Sequence, residues 1–318
     1  MNNRIRPILF KILKFAIIGA IFYFVINNVV SNWEQMAAQG VHFDAFYALL
    51  SILVMMLAWL TTSWSWGKTL EAFGAKLKYR DVFVIYFRSM IGKYLPGKFW
   101  QIVGMTYVGA QKGVPEGLII SSAIISQAYS VLTGAILFSF AIVILDLKGI
   151  VGNFLSPAIA SIPILLLFLV VVVRPVLMVT IINRVLGILK RQKIEVRIGL
   201  GKSLEIFALF LVPWFIFGLS FWFLGRSLTP IPFSQYPLLL SIAVGATIIG
   251  FLAIFTPGGI GVREGLIVIL MTAFTKYPVP LASALALCYR IVMSLVEIMA
   301  FGLTWVIERY VTHNGSRV

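Results

Sequence analysis

The sequence has few of the residue types on which most soluble enzymes depend. It contains one cysteine, Cys288, which cannot form an internal disulfide and is best explained by packing in its apolar run. Its two histidines, His42 and His313, lie far apart and leave little basis for a metal site or a catalytic triad. It has no Asp-rich or His-rich motif and no nucleotide-binding motif, which argues against a lipid-modifying transferase and against ATP drive. We therefore expect no cofactor, no metal and no enzymatic activity.

Charged residues are also few, and acidic residues are fewer than basic ones. Charged residues make up 12% of the chain against 60% hydrophobic residues, and the mean hydropathy is +1.00. Apolar runs recur from end to end, which predicts an all-α polytopic membrane protein. Lys and Arg outnumber Asp and Glu by 26 to 11, and they cluster in a few loops between apolar runs. The excess therefore indicates membrane topology and attraction to anionic lipid, and we predict no nucleic-acid partner.

The apolar runs predict about six full transmembrane helices in a single integral membrane domain, 1–318. They cover about residues 15–30, 46–66, 118–145, 155–173, 204–224 and 280–307. Basic residues before the first run predict both termini on the cytoplasmic side of the cytoplasmic (inner) membrane. Residues 174–202 are basic with apolar residues at helical spacing, which predicts an amphipathic linker on the cytoplasmic surface. Trp59, Trp64 and Trp66 are predicted interface anchors.

A polar break interrupts the apolar stretch 251–270. It contains Pro257, Gly258, Gly259 and Gly261, followed by Arg263 and Glu264. Each Arg or Glu at the centre of a membrane helix costs roughly 2.5–3.5 kcal/mol, and irregular backbone at that depth must be buried in protein or line a polar cavity. The stretch predicts a re-entrant or broken helix hairpin with arms of about 236–255 and 261–274. The alternative is an ordinary surface loop.

A second break lies in residues 82–110. Arg88, Lys93 and Lys98 bracket the sequence Tyr94-Leu-Pro-Gly97, which includes Pro96. Each apolar arm has only about 12–15 residues, whereas a full crossing needs about 20. This predicts another re-entrant hairpin, entered from the cytoplasm. The alternative is an amphipathic segment that lies on the membrane.

The two breaks suggest an internal repeat. Both have an aromatic residue two positions before a Pro-Gly pair, and Pro96 and Pro257 are 161 residues apart (257 − 96). The candidate halves are about 44–145 and 204–307. Because three predicted spans separate the hairpins, the second would enter from the opposite face, as in inverted-repeat transporters with a site near the bilayer midplane. The half-helix after each Pro-Gly would offer free N–H groups and a positive dipole end to an anion.

Charged residues inside the apolar runs are the candidate site. Arg290 and Glu297 are seven residues apart and share one face of the last span. We predict that they join Arg263, Glu264, Arg88, Lys93 and Lys98 around a cavity that neutralises an anionic headgroup. The alternative is that the two glutamates pair with arginines only to hold helices together. Ser126, Gln127 and Tyr129 would then be either neutral lining or interhelical hydrogen bonds.

The motifs Tyr94-Leu-Pro-Gly97 and Pro257-Gly-Gly-Ile-Gly-Val-Arg-Glu264, with Arg290 after them, resemble the membrane flippase domain of lysylphosphatidylglycerol synthetases. The resemblance covers about residues 10–307, and it departs from the family where Lys98-Phe99 replaces a second glycine. It implies movement of an anionic or modified phospholipid, or of a polyprenyl-linked precursor, between leaflets. The synthetases carry a soluble aminoacyl-transfer domain after the membrane part, so we expect a stand-alone member that does not itself make the lipid.

Two further hypotheses stay open. The chain could be an enzyme acting on a lipid, or a non-catalytic membrane subunit that anchors or regulates a separate synthase or glycosyltransferase. Product formation from candidate donors would favour the enzyme, and a stoichiometric partner without lipid movement would favour the subunit. A homo-oligomer is compatible with the sequence.

Overall fold

The computed structural model describes residues 43–95, 99–144, 180, 183–184, 187, 199–253 and 256–315, and all regular secondary structure in this part of the chain is helical. We number its α-helices in chain order: α1 (Ala45–Ala72), α2 (Tyr79–Ser89), α3 (Trp100–Ala110), α4 (Glu116–Ile144), α5 (Leu200–Leu228), α6 (Tyr236–Leu252), α7 (Val262–Phe274) and α8 (Val279–Gly315). Short 3-10 helices lie at Met90–Tyr94, Phe233–Gln235 and Pro257–Gly259. The predicted all-α fold is confirmed.

Five of the described helices are long and apolar enough to cross a membrane. They are α1, α4, α5, α8, and α6 together with the turn before it (Phe233–Leu252). The protein is therefore a multi-pass membrane protein, and the predicted spans at 46–66, 118–145, 204–224 and 280–307 each correspond to a long helix. The predicted spans at 15–30 and 155–173, and most of the linker 174–202, lie outside the described residues.

Helix α1 shows how local sequence sets the helix ends. The Asp44 carboxylate caps its first turn by accepting hydrogen bonds from the backbone N–H groups of Phe46, at 2.9 Å, and Tyr47. The helix ends at Ala72, and Gly74 then adopts a φ of 97°, which a residue with a side chain rarely does. An acceptor at the start and a glycine after the end satisfy backbone groups that would otherwise lack partners.

Residues 79–110 form a hairpin of two short helices, α2 and α3, which we call hairpin A. Each arm has 11 residues, about half of what a full crossing requires. The arms approach closely, because a Cβ added to Gly104 of α3 would lie 2.9 Å from Cβ of Ser89 in α2. A hairpin with arms this short agrees with the re-entrant prediction.

Residues 236–274 form hairpin B, whose arms are α6 and α7. Its break contains the turn Pro257–Gly259, and Gly258, Gly259 and, just after the turn, Gly261 have positive φ. The arms differ in length, since α6 has 17 residues and α7 has 13. The predicted break is confirmed, but the first arm with its leading turn is itself long enough to span.

The helices that open the two candidate halves, α1 and α5, pack antiparallel. Near one end, the hydroxyls of Ser51 and Ser220 each donate to the other residue's backbone carbonyl at 2.8 Å. Toward the other end, the Ser65 hydroxyl donates to the Leu209 carbonyl at 2.8 Å. Small residues let the backbones approach this closely, as is common between membrane helices. Antiparallel first helices are what an inverted repeat requires.

Each half also packs the first arm of its hairpin against the last long helix of the other half. Helix α2 of the first half contacts α8 of the second, and its counterpart α6 contacts α4 of the first. The order of one long helix, a two-armed hairpin and a second long helix occurs twice along the described chain. This arrangement agrees with the repeat halves, which stay a prediction, and it brings the hairpin tips together at the centre.

Candidate functional site

The broken tips of the two hairpins meet. Gly258, in the tip turn of hairpin B, lies against the ring of Tyr94, which ends the 3-10 helix of hairpin A. A Cβ added to Gly258 would lie 3.2 Å from two carbons of that ring. Gly258 also has a φ of 60°, in the left-handed region that favours glycine. The two polar breaks therefore belong to one site.

Helix α8 supplies a buried carboxylate to the tip of hairpin A. Glu297 is 6% exposed, and it accepts a hydrogen bond from the Tyr94 hydroxyl at 2.7 Å. Its other oxygen forms an ion pair with the Lys93 ammonium. Lys93 also lies 4.8 Å from the centroid of the Trp59 ring, at cation–π distance. Glu297 thus joins the second half of the chain to hairpin A through two side chains.

Arg290, two turns earlier on the same face of α8, connects both tips. Its guanidinium donates to the Gly258 carbonyl at 3.4 Å, lies 3.7 Å from a Glu264 carboxylate oxygen, and stands 5.6 Å from the Tyr94 ring centroid. It is 5% exposed, and its Nε and one terminal nitrogen have no hydrogen-bond partner among the described residues. A charge buried this far must be paired to be tolerated in a membrane protein.

Glu264 corrects one expectation about hairpin B. It lies in the first turn of α7, and its carboxylate accepts a hydrogen bond from the Gly261 backbone N–H at 2.6 Å. The carboxylate therefore caps its own helix and takes part of the N-terminal anion position that was predicted for a ligand. We call Lys93, Tyr94, Arg263, Glu264, Arg290 and Glu297 the tip cluster.

A cavity of about 400 Å³ lies beside the tip cluster. Lys93, Gly258, Gly259 and Arg263 line it. Much of the remaining wall is aromatic, formed by Trp59, Trp66, Tyr86, Phe99, Phe210, Trp214, Phe217, Phe251 and Tyr289. A cavity with an apolar wall and a few polar groups is typical of sites for amphiphilic ligands.

Two of the three tryptophans that were predicted as interface anchors take a different role. Trp64 is 44% exposed, which fits an interface anchor, but Trp66 is 1% exposed and its indole N–H donates to the Ser122 hydroxyl at 3.2 Å. Trp59 and Trp66 both line the cavity. Trp66 contacts Tyr86 of α2 and Ser122 of α4, and Trp59 packs against Phe217 of α5, so packing between helices encloses both.

The three neutral polar residues of α4 divide between the two predicted roles. Ser126 and Gln127 line the cavity. Tyr129 is buried and its hydroxyl forms a hydrogen bond with the Ser203 hydroxyl on α5. Tyr129 is therefore an interhelical contact, whereas the other two face the site.

Arg88 lies apart from the tip cluster. It forms an ion pair of 2.6 Å with Glu308 near the end of α8, and its Nε donates to the Thr304 hydroxyl at 3.2 Å. Lys112 contacts the same Glu308 at 3.7 Å and Asp81 at 3.3 Å. Arg88 thus fits the alternative of a structural pair between helices. Pro96, Gly97 and Lys98 lie outside the described residues, as does the side chain of Pro257.

We expect Arg88→Gln to affect stability and to leave the tip cluster intact. Partly exposed ion pairs contribute about 1 kcal/mol or less, so the free energy of unfolding should fall by about that amount. Glu308→Gln should give a similar loss, and the double variant should lose less than the sum because the two side chains act as a pair. Unfolding in mixed micelles measures the stability of all three variants, and unchanged stability in all three would contradict a structural role for the Arg88–Glu308 pair.

The family model for the lysylphosphatidylglycerol synthase TM region matches residues 11–300. The chain belongs to that family. No curated protein matches the chain. Membership in the lysylphosphatidylglycerol synthase TM family indicates a membrane domain with a lipid-related function, and the match includes both hairpins and the charged face of α8.

Two contributors to the site were not among the sequence-based candidates. The Tyr94 hydroxyl bonds Glu297, and the Trp59 ring covers Lys93. The sequence indicates Tyr94 only as part of the Pro-Gly motif and Trp59 only as an interface anchor. Local residue spacing could not have predicted either contact, because each joins residues that lie far apart along the chain.

Proposed function

We propose that this protein moves an anionic or modified phospholipid, or a polyprenyl-linked lipid, between the leaflets of the cytoplasmic membrane. In this proposal it performs no covalent chemistry. The headgroup occupies the cavity beside the tip cluster, and the hydrocarbon chains stay in the lipid. Both chain termini lie in the cytoplasm, and the two hairpins open toward opposite faces.

One observation carries the proposal: the broken tips of both hairpins meet at the buried Arg290. This side chain contacts the carbonyl of Gly258 and lies near the ring of Tyr94 and the carboxylate of Glu264. A charged group placed between two broken helices near the centre of a bundle is the arrangement of substrate sites in inverted-repeat transporters. A purely structural ion pair would not need a cavity of about 400 Å³ beside it.

Reconstitution into liposomes tests the proposal. The vesicles carry a fluorescent anionic phospholipid, and a membrane-impermeant quencher is added from outside. Without the protein, only the fluorescence of the outer leaflet should be lost. With the protein, the fluorescence of both leaflets should be lost, because lipid from the inner leaflet reaches the quencher. We expect Arg290→Gln to slow the movement at least about tenfold, because a lost contact of about 1.4 kcal/mol in the transition state corresponds to that factor.

Arg226→Gln is the matched control. Arg226 lies on α5 away from the tip cluster, where it donates to the Ile231 carbonyl at 2.9 Å. Its loss should leave lipid movement unchanged. Equal movement by wild type and by Arg290→Gln would contradict the proposed mechanism. No movement by the wild type, together with a stoichiometric synthase that co-purifies, would favour an anchoring subunit.

A further inference from the structure

The tip cluster carries one more positive charge than negative charge. Its cations are Lys93, Arg263 and Arg290, and its carboxylates are Glu264 and Glu297. The excess is buried, since Arg290 is 5% exposed and Glu297 is 6% exposed. An uncompensated charge inside a membrane protein is costly. The excess is removed either when an anion arrives or when a proton leaves.

Lys93 is the member of the tip cluster whose proton can leave and so remove the excess. A guanidinium keeps its proton in proteins, which excludes both arginines. Protonation of either glutamate would raise the excess from one charge to two. Ionisation of Tyr94 would place a second negative charge 2.7 Å from the Glu297 carboxylate and would remove the hydrogen bond between them. The charge count therefore selects the Lys93 ammonium.

Charged groups from several elements face Lys93. Glu297 on α8 forms an ion pair with its ammonium, whereas Arg290 on α8 and Arg263 on α7 repel it. Helix α1 contributes the Trp59 ring, with its centroid at 4.8 Å. The titratable phenols of the same region are those of Tyr86, Tyr94 and Tyr289. One carboxylate against two guanidinium groups does not balance the charge of the lysine.

The Lys93–Glu297 contact does not depend on the extra proton. A neutral amine still has N–H groups to donate, and Glu297 keeps its hydrogen bond from the Tyr94 hydroxyl. The Lys93 side chain is 22% exposed and lines the cavity, whereas Glu297 does not belong to the cavity wall among the described residues. Lys93 can therefore exchange a proton through the cavity while the carboxylate stays in place. Buried lysines change their protonation readily.

We propose that Lys93 carries one proton with each anionic lipid, so that the protein is a proton–lipid symporter. The inference rests on the proposed function, for a lipid with one net negative charge. On the acidic side, the neutral amine takes a proton from water and becomes an ammonium as the anion arrives. On the other side, the anion leaves and the ammonium returns its proton to water. Anion and proton favour each other's binding, and each cycle moves no net charge.

A pH gradient across liposomes tests the coupling. The vesicles consist of phosphatidylcholine with a trace of fluorescent phosphatidylglycerol, and the outside is made more acidic by one pH unit. The fast phase of quenching by a membrane-impermeant quencher gives the fraction of the probe in the outer leaflet. One pH unit is worth about 1.4 kcal/mol per proton, so the wild type should enrich the probe about tenfold in the inner leaflet. Vesicles without protein should keep their starting distribution.

Two further conditions check the sign and the charge balance. Reversing the pH gradient should enrich the probe in the outer leaflet instead. A membrane potential without a pH gradient should leave the two leaflets equal, because one proton and one negative charge move together.

Proton uptake by the purified full chain tests the same site without any movement of lipid. Phosphatidylglycerol is added to the protein in weakly buffered micelles that contain a pH indicator. The wild type should take up as much as about one proton per bound lipid. Lys93→Arg should take up none, because its guanidinium stays charged and still pairs with Glu297. Arg226→Gln should match the wild type in both assays.

Three results would overturn the inference. They are equal amounts of the probe in both leaflets under a pH gradient, absence of proton uptake when the wild type binds the lipid, and undiminished uptake by Lys93→Arg. Enrichment driven by a membrane potential alone would overturn the electroneutral cycle. The wild-type results decide the coupling even if Lys93→Arg does not fold.

The two assays also separate this inference from the proposed function. If the wild type moves the lipid but the pH gradient does not drive it, the proposed function stands and the coupling fails. If the wild type takes up a proton with the lipid but does not move it, the proposed function fails and Lys93 stands as a proton-binding site.

Discussion

Glu297→Gln should lower the free energy of unfolding by about 3–5 kcal/mol and abolish lipid movement. The change keeps the side-chain shape but removes the charge that pairs with Lys93, and it weakens the acceptor for the Tyr94 hydroxyl. An ion left buried without its partner typically costs that much. Denaturation in mixed micelles measures the stability, and the liposome assay measures movement.

A double variant separates stability from function. Lys93→Met with Glu297→Leu replaces the buried pair by apolar side chains, and such replacements are often neutral or stabilising. We therefore expect the double variant to recover most of the lost stability without recovering lipid movement. Glu308→Gln, on the same helix but 32% exposed, should leave movement intact. Movement by the double variant at the wild-type rate would show that the Lys93–Glu297 pair is only structural.

Gly259→Ala should strongly destabilise hairpin B. Gly259 has a φ of 74°, and a Cβ built there would lie 2.9 Å from the Gly250 carbonyl oxygen in α6. Left-handed backbone costs an L-residue about 1–2 kcal/mol, and contact with a backbone atom cannot be relieved by a rotamer change. We expect a loss of about 3 kcal/mol or more in unfolding free energy, with separation of the hairpin arms and loss of movement.

Gly261→Ala is the matched control for that change. Gly261 also has a positive φ, 84°, but a Cβ there would meet nothing within 4 Å. Its ψ is −46°, so its replacement should cost only the strain of a sparsely populated backbone region, about 1–3 kcal/mol. If both variants lose the same stability, the close contact between Gly259 and α6 does not matter, and backbone conformation alone explains the need for glycine.

Local sequence predicted the helices well because the length of an apolar run is visible directly along the chain. The runs at 46–66 and 280–307 correspond to α1 and α8, and the break at Pro257 is present as predicted. Arg290 and Glu297 were placed on one face by helical spacing alone, and both are buried. For these features each inference needed only residues within a few turns of one another.

Partner choice could not be predicted in the same way. Arg88 and Lys93 looked equivalent in the sequence, yet Arg88 pairs with Glu308 and Lys93 with Glu297. Glu264 looked like a group facing a ligand, and it caps its own helix instead. Which cation meets which carboxylate depends on how hairpin A lies along α8, and no local pattern encodes that register.

The sequence by itself determined that this is a helical membrane protein with two polar breaks and a set of charges that lipid would not tolerate. Hydrophobic length and the cost of charge in a bilayer were sufficient for that. Only the tertiary structure decided that the breaks meet, that Trp59 and Ser126 line a cavity, and that Arg263 has no carboxylate within 4.0 Å among the described residues. These are contacts between helices distant in sequence, and they are set by side-chain packing across the whole bundle.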